Sequence, residues 1–86
     1  MSVAYYINTE CEIKKVTPES GNTFGLAELQ QYVEGYVEII PLGGRWVMVC
    51  NEEGVLLHEG YNEWASILAD TPIVGNVVVC TKEMVK

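Results

Sequence analysis

Basic residues are scarce in this chain. Five lysines and arginines stand against twelve aspartates and glutamates, for a formal net charge of -7 at neutral pH. A surface field of that sign repels phosphate backbones and anionic lipid, so neither nucleic acid nor a membrane is an expected partner. Cysteine is sparse as well: Cys11, Cys50 and Cys80 are odd in number and form no Cys-x-x-Cys pair. A small secreted domain carries an even and denser set, so the three read as reduced thiols. No window approaches the ~18 apolar residues that span a bilayer. The opening MSVAYYINTECEIKK also lacks a basic segment followed by an apolar run, and a cytoplasmic protein is expected. His58 is the single histidine, and no Gly-x-Gly-x-x-Gly, Walker or Gly-x-Ser-x-Gly element occurs, which removes the familiar phosphate-loop and nucleophile-elbow chemistries. One histidine and three scattered cysteines show no zinc-ligand spacing. Neither a metal nor a cofactor is expected.

What is present points to one small globule. The 86 residues are 49% hydrophobic and 20% charged, with a mean hydropathy of +0.13, too apolar for disorder. At this size about 60 to 65% of the unfolded chain's surface can be buried, enough for a single domain over residues 1–86. Residues 3–7 and 12–16 are short β-prone runs able to pair through Asn8, Thr9, Glu10 and Cys11. The cluster Thr17, Pro18, Glu19, Ser20, Gly21, Asn22 reads as a loop. Leu26, Leu29 and Val33 recur at helical steps, predicting a helix over 26–34 that Gly25 opens and Gly35 ends with a left-handed residue.

Beyond it, residues 36–42 and 45–50 alternate as strands. Gly43-Gly44 between them is a two-residue hairpin signal rather than a phosphate cradle. The turn Asn51, Glu52, Glu53, Gly54 leads to a further strand at 55–58, completing a meander. Trp64, Ile67 and Leu68 fall at helical spacing within 61–69, with Asn62 as N-cap. Val77, Val78 and Val79 make 74–80 apolar on both faces, which places that strand near the middle of a sheet. The tail from Lys82 reads as frayed or weakly helical. The expected fold is α+β: a mainly antiparallel sheet of about five to six short strands with one or two helices packed on one face.

The run Leu29-Gln30-x-x-Val33-x-Gly35-Tyr36-Val37-Glu38-x-x-x-Leu42, then Val49-Cys50-Asn51-Glu52-Glu53-Gly54, then Tyr61-Asn62, then Ile73-Val74-Gly75-Asn76-Val77-Val78-Val79, resembles the small proteins grouped as domain of unknown function 3846. About fifty residues carry the resemblance. Glu34 stands where that family often has a second glycine, and His58-Glu59-Gly60 replaces a proline-containing approach to Asn62. The resemblance implies a habitat, phages, prophages and plasmids, rather than an activity. Accessory proteins of such elements often sequester a host signalling nucleotide or block a host protein.

Few residues offer chemistry. His58 and Glu59 are neighbours on a strand and point to opposite faces, so they do not form a base with its carboxylate partner. Glu52 and Glu53 at a turn read as solvated acids. Asn62 is read as a helix cap or as a ligand contact. Gln30, beside the apolar stripe of the first helix, and Asn51, first of all a turn residue, are the other candidate amides. Trp64 reads as core. Trp46 is balanced between core and binding surface, with Tyr36 and Glu38 expected across the hairpin and Arg45, the only arginine, beside it. Together Trp46, Arg45, Asn62, Tyr36, Gln30 and Asn51 form a candidate site for a small nucleotide-like ligand, stacked on aromatics and fixed by amides and a guanidinium. On this reading the protein is no enzyme and a homo-oligomer is expected, because one protomer of this size struggles to enclose a ligand. The alternative is an acidic inhibitor of a host protein, a DNA mimic if folding gathers the scattered carboxylates.

Overall fold

Three consecutive valines leave neither face of their segment fit for water, and the strand that contains them lies at the centre of the sheet. The computed structural model describes residues 3–53 and 60–85. Among the described residues the elements run β1 (Ala4–Ile7), β2 (Ile13–Val16), α1 (Leu26–Val33), β3 (Val37–Gly43), β4 (Trp46–Asn51), α2 (Glu63–Ala69) and β5 (Val77–Thr81), followed by a 3-10 turn at Lys82–Met84. The five strands form one sheet in the order β2-β1-β5-β4-β3, every pairing antiparallel. The fold is therefore α+β, with β5 in the middle. The strand expected over 55–58, with His58 and Glu59, lies outside the described residues.

The two faces of the sheet are covered separately. Val47, Val49, Val78, Cys80 and Ala4 meet Leu29 and Val33 of α1, joined by Phe24 and Met84. Their strand neighbours Met48, Cys50, Val77, Val79 and Ile7 point the other way and meet Ala65 of α2, with Ile73. One helix thus sits on each face, where the sequence suggested that the helices share one. A strand buried on both sides needs cover on both.

Local chemistry explains the connections. Asn8 shapes the β1–β2 turn, its Oδ1 accepting from the backbone N–H groups of Glu10 and Glu12, each at 2.9 Å. The β3–β4 hairpin turns one residue later than Gly43-Gly44 suggests. Gly43 pairs with Trp46, and the register shifts between Pro41 and Gly43, a bulge at Leu42. Gly43 and Gly44 both take positive φ, 113° and 59°. The tail takes the weakly helical alternative, a 3-10 turn over Lys82–Met84, and is tied down: the Phe24 N–H donates to the Met84 carbonyl at 2.7 Å and Met84 is buried. The central strand starts at Val77 rather than at residue 74, after Gly75 at φ 83°.

At the end of α1 the left-handed residue is Glu34, at φ 60°, and not Gly35. Gly35 is needed for a different reason: a Cβ there would lie 2.6 Å from Asn51 Nδ2. Two substitutions in adjacent positions should therefore move stability in opposite directions. Gly35→Ala is expected to cost about 1–3 kcal/mol, because the neighbouring amide must shift. Glu34→Gly is expected to add about 0.5–1 kcal/mol by relieving the left-handed strain. Urea denaturation of the two variants checks both signs.

All three cysteines are free thiols, Cys11 exposed and the other two buried. Burial, with a smaller contribution from Glu38, pushes the Cys50 thiol from 9.0 up to about 11. Burial and then Glu83 do the same for Cys80, again to about 11. Because the unfolded chain releases these protons first, their contribution to stability is complete below about pH 9 and is lost as pH rises from 9 towards 11. Thiol titration of the native protein at neutral pH should modify Cys11 alone, with Cys50 and Cys80 reacting on unfolding.

Candidate functional site

Helix α2 is built inside out. Its inward residues are small, Ala65, Ser66 and Ala69, and its large ones face away: Trp64 is 44% exposed, Ile67 63% and Leu68 48%. The sequence stripe of Trp64, Ile67 and Leu68 is real, but it points to solvent and Trp64 is not core. Asn62 fixes this orientation. It is fully buried, its Oδ1 accepts from the Ala65 N–H at 3.0 Å, and its Nδ2 donates to the carbonyls of Ile7 at 3.1 Å and Gly75 at 2.8 Å. Ser66 adds a second clamp, donating to the Asn62 carbonyl and accepting from the Ile73 N–H. The helix lies close to the sheet because only small side chains come between.

Being seven residues long, α2 covers only part of its face. Beside it runs an apolar groove of about 480 Å³, floored by Ile7 and Val79 and walled by Tyr5, Ile13, Leu42, Trp46 and Leu68, with Gly43 at the hairpin end. The strand register places Tyr5 beside Val79, and Trp46 beside Thr81. Among the described residues Tyr5 supplies the only titratable group of the lining. The Thr81 hydroxyl, next to Trp46 in the register, is buried without a hydrogen-bond partner of ordinary geometry, although it lies close enough to Glu83 to favour that carboxylate. At the same end Arg45 pairs with Glu83 at 2.5 Å, both side chains open to water. The Glu83 carboxyl is held below its ordinary value, first by its own backbone N–H and then by Arg45, against an opposing push from desolvation.

The six sequence candidates divide among separate places. Trp46 lines the groove and Arg45 stands next to it in the turn. Asn62 lies under the helix with both amide hydrogens and its oxygen engaged by backbone, so the helix-cap reading holds and no donor remains for a ligand. Asn51 is buried in the same manner, donating to the carbonyls of Val33 at 3.0 Å and Glu34 at 3.4 Å and accepting from the Glu53 N–H at 2.7 Å. Gln30 on α1 and the exposed Tyr36 sit with Asn51 at the far end of the hairpin from Trp46. Tyr36 and Glu38 therefore do not face Trp46, since Glu38 pairs with Cys50. Sequence reasoning missed Tyr5, Ile13 and Leu42. Their alternation within short strands was visible, but which face would stay open was not.

The opposite face has a different character. Tyr6 and Tyr32 pack with ring centroids 5.4 Å apart and planes tilted by 42°. Burial raises the Tyr6 hydroxyl first, then Glu34 and Glu12, while burial followed by Glu28 and Glu19 raises that of Tyr32. Folding thus gathers four carboxylates around one tyrosine pair, with Lys14 opposite Tyr6 in the register as the cation among them. Among the described residues no three His, Cys, Asp or Glu side chains come together as a metal site requires. No described helix is long and apolar enough to cross a membrane.

A structural role for Asn62 has a measurable consequence. Asn62→Ala leaves one N–H and two carbonyls without their partner, and is expected to cost about 2–4 kcal/mol in chemical denaturation. A residue that only touched a ligand would leave the free protein's stability unchanged.

No curated protein and no solved structure gives a significant match to the chain. One family profile does, over residues 1–84, nearly the full length and well beyond the fifty residues that carry the motif resemblance. The chain belongs to the family described as Domain of unknown function (DUF3846).

Proposed function

We propose that this protein is a small non-enzymatic binding module that captures a flat ligand, of the kind a nucleobase presents, in the groove beside α2. The observation that carries the reading is the groove itself: about 480 Å³, within the ~300–1,000 Å³ of small-molecule clefts, with Trp46 and Tyr5 in its walls. An aromatic wall stacks any base in a sequence-tolerant way. Among the described residues the one titratable group of the lining is a tyrosine, which suits binding better than acid–base chemistry. Arg45 is the anion contact of this reading. Its partner Glu83 is exposed, so exchanging that carboxylate for a ligand phosphate costs little. The amides of Asn62 and Asn51 are spent on the fold and drop out of the recognition set. In a mobile element, the habitat the family resemblance implies, such capture withdraws a host signalling nucleotide from circulation.

Native mass spectrometry of freshly purified protein, followed by thermal-shift assays with cyclic and ADP-ribose-type nucleotides, tests the reading. A copurified ligand or a raised melting point is expected, and Trp46→Ala should weaken binding by about 5- to 150-fold, the loss of a stack worth about 1–3 kcal/mol. A clean mass with no shift across the panel removes the small-ligand reading for those compounds.

The acidic face favours a second reading, an inhibitor that meets a basic host surface through the carboxylates of Glu12, Glu19, Glu28 and Glu34. Its mark is partner binding that weakens steeply with added salt.

A further inference from the structure

A helix that is apolar outside as well as inside is ordinarily buried on both sides, and among the described residues α2 is covered on one. Trp64 and Leu68 are four residues apart and stand above one another on its outer face, Ile67 lies beside them, and Leu68 continues into the groove wall with Tyr5, Ile13 and Trp46. We propose that a second copy of this chain covers this face, two protomers meeting through their α2 stripes about a two-fold axis. The inference goes beyond the ligand reading and does not depend on it.

Three observations select a second copy over another occupant. The first is area. From their exposures of 36 to 63%, these six side chains offer roughly 500–600 Å² of surface, taking about 200 Å² for a large one. A standard interface takes about 800 Å² from each partner, of which some 65% is apolar in homodimers. The patch matches that apolar share, and it lies at the upper end of what monomers leave open.

Charge is the second observation. None of these six residues is charged, while the chain as a whole carries -7. A cationic partner would be drawn to the carboxylates elsewhere on the molecule, and anionic lipid is repelled. Two like-charged copies can approach closely through an uncharged centre, and among the described residues the charges stand around it: Glu63 and Asp70 at the ends of the helix, Lys15 beside Tyr5, and Arg45 with Glu83 at the Trp46 end, in the position of a polar rim.

Shape is the third. The same surface carries a convex ridge, Trp64 and Ile67, next to a concave groove. A two-fold contact requires that self-complementarity, each copy offering both halves.

Sedimentation equilibrium or light scattering of the full chain, over roughly 1 to 100 μM to bracket the weak end of standard interfaces, tests the proposal. The expected result is twice the protomer mass, with association that strengthens as salt rises because screening relieves the repulsion between two acidic copies. Ile67→Glu should raise the dimer dissociation constant at least a hundredfold, and Ile67→Ser at least tenfold. Ile67 is mostly exposed, so circular dichroism spectra should be unchanged, and the serine variant carries the test if the glutamate variant fails to fold. A chain that stays monomeric across the range overturns the proposal. So does an assembly whose mass ignores both substitutions, or one that dissociates with added salt as binding through the acidic face would. None of these readouts involves a ligand, so failure here leaves the groove reading standing; because the partner's ridge and a ligand would share the groove, a ligand that enters it should shift the dimer towards protomer mass.

Discussion

The double-sided burial of β5 is the constraint on which this fold depends. All five of its residues are buried, so both of its edges must be paired and both faces covered. A chain of 86 residues meets that demand with strands of four to seven residues and one helix for each face. Apolar surface of this kind contributes about 25 cal/mol for each Å² removed from water, which makes the central layer the principal source of stability. Cover on the two sides is unequal. The α1 side is closed by Phe24, Leu29, Val33 and Met84, whereas among the described residues the α2 side is closed by the short helix and Ile73.

How far the helix reaches is set by polar atoms rather than by packing. Asn62 ties three segments together, the end of β1, the approach to β5 and the first turn of α2. An asparagine in such a place satisfies three backbone groups that would otherwise be buried unpaired. With the first turn pinned, the rotation of α2 about its axis is fixed. Its small residues must face the sheet and its large ones must face outward, and the groove follows from the same geometry.

Much of this was legible in the sequence, and the failures have physical causes. The valines of β5 announced a central strand because no alternation offered a wet face, and Asn62 announced a cap because its side chain is the nearest acceptor before an apolar run. The hairpin was written in two glycines, though the bulge at Leu42 moved its turn by one residue. Trp64, Ile67 and Leu68 reveal a period of 3.6 residues, but a period gives a stripe and not its direction. Direction was decided by contacts distant in sequence, Asn62 with Ile7 and Gly75. The candidate site suffered in the same way. Trp46 and Arg45 lie together as neighbours in the chain, while Gln30, Tyr36 and Asn51 were grouped with them on residue type alone and lie at the other end of the hairpin.

The position of β5 also bears on how the protein is made. Ala4 pairs with Cys80 and Ile7 with Val77, so the middle of the sheet joins residues from almost opposite ends of the sequence. A nascent chain that has not yet reached residue 77 holds two separate hairpins, β1–β2 and β3–β4, with no strand in common. Contacts this far apart in sequence raise the contact order and slow folding relative to a helical domain of equal length. Until the last strand arrives, the inner edges of both hairpins are unpaired, the state in which a strand edge is most open to association with another chain.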